Sequence, residues 1–283
     1  MPTPGRYIDV APQDWSQTSG TAPLAVTHGL GGDPLLDLEP IAELAASLPA
    51  DLVEHNYGQL PLVLGGRERE RPDAPASEVV RNVSELGCWI VLKKIDHDPA
   101  YRALVDECLM SVAPSLGPIA SPMHERFGYL FVSARHAITP AHMDFEHNFL
   151  LQAHGTKIMT VGQFPTDEAR QRKLEERDGQ DRYVDFLPTS PMRFELEPGR
   201  GVYVPPAAPH FVEVGEGLSI SLSVTWRSDA LIREERVHRF NRRLRTIHAH
   251  PAPPGTYPRR DDAKATAAQL WESIRGRRGD ITA

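Results

Sequence analysis

The chain has 283 residues, and 31 Lys and Arg residues against 38 Asp and Glu residues give it a formal net charge of −7. This length allows a substantial core, no apolar run approaches the ~20 residues that cross a bilayer, and the acidic balance argues against nucleic acid as the main partner. Two cysteines exclude a disulfide framework, and the first residues lack a signal-peptide pattern, so we expect a cytoplasmic protein without a membrane partner.

Residues 1–115 are predicted to form an α/β flanking region. Apolar residues recur at intervals of three and four over Leu35–Leu48, which predicts a helix with one buried face. The β-branched and aromatic stretch Cys88–Ile95 predicts a strand. A second helix is expected from Pro99 to about Val112, because Asp98 is a good N-cap and proline suits the first helical position.

Residues 116–228 are predicted to form the catalytic core, built from short strands separated by turns. The 26 prolines, about twice the usual ~5% share, also indicate loops and short strands rather than a helical bundle. This spacing favours a sandwich or jelly roll over a parallel α/β sheet. The charged stretch Pro165–Asp181 is interpreted as a mobile loop or short exposed helix, and as a candidate lid. The predicted strands are Phe127–Val132, Asn148–Ala153, Lys157–Phe164, Phe194–Leu196, Gly201–Val204, His210–Val214 and Leu218–Trp226.

Residues 229–283 are predicted to be helical. Val237, Phe240, Leu244 and Ile247 follow a helical spacing, and arginines cover most of the remaining surface. We expect this apolar stripe to pack on the barrel or on a second subunit, which predicts a homodimer through the C-terminal helices.

The stretch Thr139-Pro-Ala-His-Met-Asp144 carries the first chemical signal. In an extended chain His142 and Asp144 point the same way, as two ligands of a facial metal site do. His210 follows a proline-stiffened turn and supplies a third ligand. Two histidines and one carboxylate on one face are typical of non-haem Fe(II) oxygenases. The His-x-Asp pair alone also fits a turn or a satisfied buried pair.

Lys157 lies just past the hairpin turn His154-Gly155-Thr156 and can point back at the face of His142 and Asp144. A buried lysine there requires an anion. A dicarboxylate cosubstrate is such an anion, with Thr139 as a hydroxyl donor to the same carboxylate and Asn148 near the other end. Considered alone, Lys157 also fits a solvated strand end.

The strand Leu218–Trp226 alternates strictly between apolar and hydroxyl side chains. This pattern fits an edge strand that exposes hydroxyls to water, or a strand whose hydroxyl face lines a barrel around the metal. The hydroxyl face consists of Ser219, Ser221, Ser223 and Thr225.

These motifs resemble those of the JmjC-type Fe(II)/2-oxoglutarate oxygenases, in the cupin-like hydroxylase branch of the asparaginyl hydroxylase that inhibits the hypoxia-inducible factor. The similarity covers the Thr-Pro-Ala-His-x-Asp motif, Asn148, Gln152, the Gly-x-Lys that ends at Lys157, and the segment from Pro198 to His210. The resemblance implies a mainly β fold with flanking helices, a double-stranded β-helix (jelly roll, cupin-like) around the metal.

The resemblance also implies a role for each matching residue. His142, Asp144 and His210 would bind Fe(II) and form the catalytic centre. Lys157 and Thr139 would bind the distal carboxylate of 2-oxoglutarate, and Asn148 would lie near its chelating end. Thr225 stands where the asparaginyl hydroxylase has an asparagine, and the resemblance implies that Thr225 also binds the cosubstrate. Dioxygen is the remaining reactant.

The sequence therefore predicts a 2-oxoglutarate-dependent dioxygenase that hydroxylates an unactivated C–H bond. The substrate is expected to be a peptide or protein side chain, or a small amino-acid-like metabolite. The presence of Asp144 indicates hydroxylation rather than halogenation, because related halogenases lack this carboxylate. Two alternatives are a non-catalytic cupin-like metal-binding or regulatory protein, and a metal-dependent cupin that needs no cosubstrate.

Other histidines and both cysteines are assigned no catalytic role. His147 has the wrong parity to join His142 and Asp144 on one strand face. Cys88 and Cys108 have apolar neighbours and are interpreted as small core residues.

Overall fold

Short strands and tight turns build two antiparallel β-sheets in this protein. The computed structural model describes residues 7–18, 20–64, 70–117, 120–175 and 182–279. The strands are β1 Ile8–Asp9, β2 Leu24–His28, β3 Val53–Tyr57, β4 Cys88–Lys93, β5 His124–Ser133, β6 Ile138–His142, β7 His147–His154, β8 Lys157–Gln163, β9 Thr189–Leu196, β10 Arg200–Val204, β11 His210–Val214 and β12 Ser219–Arg227. The helices are α1 Pro12–Thr18, α2 Leu38–Ser47, α3 Ala76–Arg81, α4 Val83–Leu86, α5 Pro99–Val112, α6 Asp167–Glu175, α7 Asp229–Thr246 and α8 Pro258–Gly279.

Strands β5 to β12 form a double-stranded β-helix, as predicted. The larger sheet has the order β1-β2-β10-β7-β12-β5-β4-β3, and the smaller sheet has the order β6-β11-β8-β9. Successive strands of the barrel therefore pass between the sheets, except where β8 continues into its neighbour β9. Buried apolar side chains of both sheets, such as Leu150, Val161 and Val202, meet between them.

The turn between β7 and β8 depends on glycine. Gly155 has a φ of +69°, and a Cβ atom there would lie 2.0 Å from the backbone oxygen of Leu218. Only glycine combines this left-handed conformation with so close an approach of another backbone. The predicted hairpin is wrong, because β7 and β8 belong to different sheets and do not pair with each other. The turn instead carries the chain from the larger sheet to the smaller one, where Lys157 begins β8.

The N-terminal flanking region extends the larger sheet at both edges. Strand β2 pairs with β10, and β4 pairs with β5. The predicted helices are also present: Asp98 caps α5 by accepting a hydrogen bond from the Ala100 amide at 2.8 Å. One apolar core joins this region to the jelly roll and includes Trp15, Leu109 and Trp226.

The C-terminal region contains helices α7 and α8, which pack against each other, while α6 packs against α7. Ser228 caps α7, and its Oγ accepts from the Leu231 amide at 3.3 Å. In the predicted apolar stripe Val237 is buried, whereas Ile247 is 71% exposed. The arginines form ion pairs, including Arg245 with Glu175 of α6.

The charged stretch predicted as a loop or short helix contains α6 at Asp167–Glu175. Residues 176–181 of this stretch lie outside the described residues. Among the described residues, no helix has the length and apolar character that spanning a membrane requires.

Candidate active site

Three side chains, from the end of β6, the turn that follows it and the start of β11, meet at one end of the barrel. His142 ends β6 and His210 begins β11, where the two residues pair directly. Strand β6 ends before Asp144, which lies in the following turn and whose backbone oxygen accepts from the Ala207 amide at 2.7 Å. One ligand atom from each of the three side chains lies within 4.8 Å of the other two. The structure thus brings together the three residues that the sequence singled out.

Backbone carbonyls fix the orientation of both imidazoles. The Nδ1 atom of His142 lies 2.7 Å from the Pro140 oxygen, and that of His210 lies 2.9 Å from the Ala208 oxygen. Because a carbonyl oxygen only accepts, each Nδ1 carries the proton and each Nε2 keeps its lone pair. The His210 Nε2 atom lies 3.6 Å from Asp144 Oδ2. This arrangement of donors fits a divalent transition metal.

The electrostatics of the cluster favour the metal-binding protonation states. Burial lowers the pKa of both His142 and His210, which keeps their rings neutral. Burial alone would raise the pKa of Asp144, but the neighbouring His142 and Arg182 bring it below its usual value. The cluster therefore presents two neutral imidazoles and one carboxylate, the forms that bind metal.

Arg182 and Tyr183 belong to this site and were missed by the sequence analysis. The Arg182 Nη1 atom donates to Asp144 Oδ1 at 3.3 Å. Segment 182–184 runs along the free edge of β6: the Met143 amide donates to the Arg182 oxygen, and Tyr183 forms a β-bridge with His142. The strand-like sequence that begins at Tyr183 was the only local signal for this segment, and it did not indicate that the segment pairs with β6.

Lys157 lies at the other end of the same cavity. Its side chain is buried, with 4% of the residue exposed, and burial lowers its pKa to about 7. The Nζ atom donates to Ser221 Oγ at 2.6 Å and lies 5.5 Å from the centre of the Phe131 ring. Within the described residues no carboxylate pairs with this amine, so the cavity can accept an anion at this position.

The hydroxyl face of β12 lines the interior of the barrel. Strand β12 lies between β7 and β5 in the larger sheet, and all four hydroxyl residues are buried. The alternative of an edge strand that exposes its hydroxyls is therefore wrong. Ser223 Oγ donates to Asn148 Oδ1 at 2.7 Å, which orients that amide.

The remaining predicted site residues share this cavity. Thr139, Asn148 and Thr225 line it together with the metal cluster and Lys157. Thr225 is buried, and its hydroxyl lies 3.4 Å from the Phe127 oxygen. All seven predicted site residues therefore face one cavity, between the metal cluster and the buried amine.

His147, Cys88 and Cys108 occupy structural positions, as predicted. His147 is hydrogen-bonded through its two ring nitrogens to Tyr203 Oη and Ser228 Oγ, at 2.7 Å and 3.1 Å. Burial raises the pKa of Cys88 to about 11 and that of Cys108 to about 12, so both thiols stay protonated and unreactive at neutral pH.

Comparisons with known proteins agree with this architecture. The family model of the JmjC domain matches residues 120–232. A search of curated proteins finds no match.

The similar solved structures include YcfD, a ribosomal oxygenase from Escherichia coli, in complex with cobalt and 2-oxoglutarate. It shares 15% sequence identity at a TM-score of 0.53, over 93% of this chain and 67% of that one. A further structure of E. coli YcfD gives 15% identity and a TM-score of 0.52, over 93% of this chain and 68% of that one. Identity this low shows a shared fold. With the match of the JmjC domain model to residues 120–232, it confirms the predicted cupin-like jelly roll.

Proposed function

We propose that this protein uses Fe(II), 2-oxoglutarate and dioxygen to hydroxylate an unactivated C–H bond in a polypeptide side chain. The reaction would convert substrate, 2-oxoglutarate and dioxygen into hydroxylated substrate, succinate and carbon dioxide. The single observation that carries this proposal is the buried amine of Lys157, which shares one cavity with the cluster of His142, Asp144 and His210.

In this proposal the metal cluster supplies three ligands on one face. The Nε2 atoms of His142 and His210 and a carboxylate oxygen of Asp144 would hold Fe(II). Bound Fe(II) would supply the activation of dioxygen for C–H oxidation. The protein holds the imidazoles in one tautomer through Pro140 and Ala208, so no reorientation is needed when the metal binds.

The other end of the cavity would select a dicarboxylate. Lys157 would bind the distal carboxylate by a charge-assisted hydrogen bond, and Ser221 already holds its Nζ atom in place. Thr139 would donate to the same carboxylate, and Asn148 would lie near the chelating end, where Ser223 orients its amide. Thr225 would line the space between them.

The substrate would approach from the side of Asp144 and Arg182. The side chain of His210 is 2% exposed, whereas those of Asp144 and Arg182 are 18% and 34% exposed. A polypeptide substrate is favoured because a solved structure of the same fold is described as a ribosomal oxygenase. A small amino-acid-like metabolite is the other predicted substrate class.

The two alternative functions leave features of the cavity without a purpose. A cosubstrate-free cupin would have no anion for Lys157, and a non-catalytic binding protein would not need both a metal cluster and a buried amine. We also propose a cytoplasmic location, which two free cysteines support. A homodimer through the C-terminal helices and the division at residues 115 and 228 stay predictions.

The test is succinate formation by the full chain supplied with Fe(II), 2-oxoglutarate and peptide pools. We expect iron-dependent succinate release that rises when a substrate peptide is present, together with a 16 Da mass increase of that peptide, the mass of one oxygen atom. Full succinate formation by Asp144→Ala would show that the ligand assignment is wrong. Binding of metal without any 2-oxoglutarate binding would favour the cosubstrate-free cupin.

A further inference from the structure

A second cavity lies outside the barrel, between α6, the first turns of α7 and the loop 205–209. Its volume of about 520 Å³ is sufficient for a small molecule or an inserted side chain. None of the seven residues proposed to bind the metal or the cosubstrate lines it. The proposed reaction therefore gives this cavity no role.

A buried histidine with unsatisfied ring nitrogens lines this cavity. His238 of α7 is 3% exposed, and neither of its ring nitrogens has a hydrogen-bond partner in the described part of the chain. Its Nε2 atom lies 3.5 Å from Glu234 Oε1, and Arg170 Nη2 lies 3.4 Å from the same oxygen. These contacts are long, so the buried polar groups here are poorly satisfied.

Carboxylates outnumber guanidinium groups among the described residues that line this cavity. They include the carboxylates of Asp167 and Glu234 and one guanidinium, that of Arg170. Contact with His238, followed by the charge of Arg170, lowers the pKa of Glu234, so its carboxylate is ionised at neutral pH. A third carboxylate, Glu235, forms ion pairs with arginines outside the cavity lining, Arg227 and Arg239.

Apolar side chains also line the cavity. They include Phe145, Phe164, Leu174 and Leu231, together with prolines of the loop 205–209. An alkyl stem can pack against such side chains, and aromatic faces also attract a cation. The described lining thus combines apolar side chains with an excess of carboxylates over guanidinium groups.

We propose that this cavity binds the guanidinium or ammonium side chain of an Arg or Lys residue in a polypeptide. The alkyl stem would pack between the phenylalanines, and the charged head would donate hydrogen bonds to Glu234 and Asp167. The net charge of −7 of the chain also favours a basic partner.

The location of the cavity suggests which polypeptide is bound. Phe145 follows the proposed metal ligand Asp144, and the Ala207 amide donates to the Asp144 oxygen. A basic side chain held here would lie next to the segments that carry the metal cluster. The occupant is therefore assigned as a basic residue that flanks the reacting residue of the substrate, a step that rests on the proposed function.

The test measures binding of N-acetyl-arginine N-methylamide to the full chain by calorimetry. The citrulline analogue is the matched probe, since it keeps the shape and loses the charge. We expect the arginine probe to bind roughly tenfold more tightly, as a charged hydrogen bond predicts. Glu234→Gln should remove most of that preference, and Leu231→Trp should fill the cavity and abolish binding. The exposed Glu216→Gln is the matched control and should leave binding unchanged.

Two further binding measurements distinguish this proposal from the proposed function and from binding of a free polyamine. Asp144→Ala should bind the arginine probe as the wild type does, because it alters only the metal cluster. Loss of binding in Asp144→Ala, no saturable binding in the wild type, or no effect of Glu234→Gln would overturn the proposal. Tighter binding of agmatine, which has the same stem and guanidinium but no peptide backbone, would overturn the polypeptide assignment in favour of a free polyamine. Arginine-probe binding by a chain without succinate formation would uphold the cavity proposal while the proposed function fails.

Discussion

The two ends of the barrel cavity differ in whether the protein itself compensates the charged group that lies there. The Asp144 carboxylate accepts a hydrogen bond from the Arg182 guanidinium, so its charge is compensated within the protein. The Lys157 amine has a hydroxyl and an aromatic ring as neighbours, and burial lowers its pKa to about 7. This difference indicates that the metal end is preorganised, whereas the lysine end is completed by an anionic ligand.

The largest loss of ligand affinity is expected from Asp144→Ala, which removes a proposed metal ligand. Loss of one of three ligands should reduce Co²⁺ or Fe²⁺ affinity by roughly 100-fold or more, because first ligands matter more than the outer partners, whose loss costs ~10–100-fold. Metal titration calorimetry measures this loss. The exposed carboxylate variant Glu195→Ala is the control, and equal losses in the two variants would refute a specific site.

The second-largest loss of ligand affinity is expected from Lys157→Met, which keeps the length of the side chain and removes the amine. The affinity for 2-oxoglutarate should fall ~30-fold or more, since loss of one partner of a buried charge pair costs about 2–5 kcal/mol. Metal affinity should stay unchanged. Equal loss of metal and 2-oxoglutarate affinity would mean that the two ends of the cavity do not act separately.

Lys157→Met should also stabilise the ligand-free protein, in a pH-dependent way. Burial lowers the pKa of Lys157 in the folded protein to about 7, whereas an exposed lysine has a pKa of 10.5, so the unfolded chain binds more protons between these values. Wild-type stability should therefore rise with pH from about 7 to 10.5, and the advantage of the variant should shrink over the same window. Thermal melts from pH 6 to pH 10 measure this trend, and an advantage that grows with pH would contradict it.

A smaller effect is expected from Arg182→Gln. The loss of the hydrogen bond to Asp144 Oδ1 should reduce metal affinity by ~10-fold, the lower end for an outer partner, because the arginine charge also repels a dication. The visible spectrum of the Co²⁺ form should change as the carboxylate reorients. An unchanged spectrum together with unchanged affinity would show that Arg182 does not position Asp144.

The smallest effect is expected from Ser221→Ala, which removes the hydrogen bond to Lys157 Nζ. About 1 kcal/mol, or roughly fivefold in 2-oxoglutarate affinity, is the expected cost. Ser219→Ala, on the same face of β12, is the control, because Ser219 Oγ accepts from Gln152 instead. A larger loss in the Ser219 variant would place the distal carboxylate elsewhere.

The sequence predicted the parts of the site that depend on local geometry. The turn at Gly155 and the proline-stiffened turn before His210 are set by nearby residues, so the positions of Lys157 and His210 follow from spacing. The pairing of β7 with β8 was predicted wrongly, because the partners of each strand are distant in sequence. The alternation along β12 identified its hydroxyl face, but its central place in the sheet depends on pairing with β5 and β7, which are distant in sequence.

Features that depend on long-range packing were not predicted. Arg182 reaches Asp144 only because segment 182–184 pairs with the edge of β6. The N-terminal strands join both edges of the larger sheet through partners that are distant in sequence. The paired residues of β4 and β5 are 36 to 44 positions apart, and those of β2 and β10 are 173 to 179 positions apart. The cavity beside His238 arises where α6, α7 and the loop 205–209 meet, and periodicity within one helix does not report such a junction.

The most direct test is a crystal structure of the full chain with Fe(II) replaced by Co²⁺ and with a non-reactive 2-oxoglutarate analogue. The account predicts one metal ion bound by His142, Asp144 and His210, and a distal carboxylate within hydrogen-bond distance of Lys157 Nζ. A metal ion bound elsewhere, or an analogue whose distal carboxylate avoids Lys157, would contradict it.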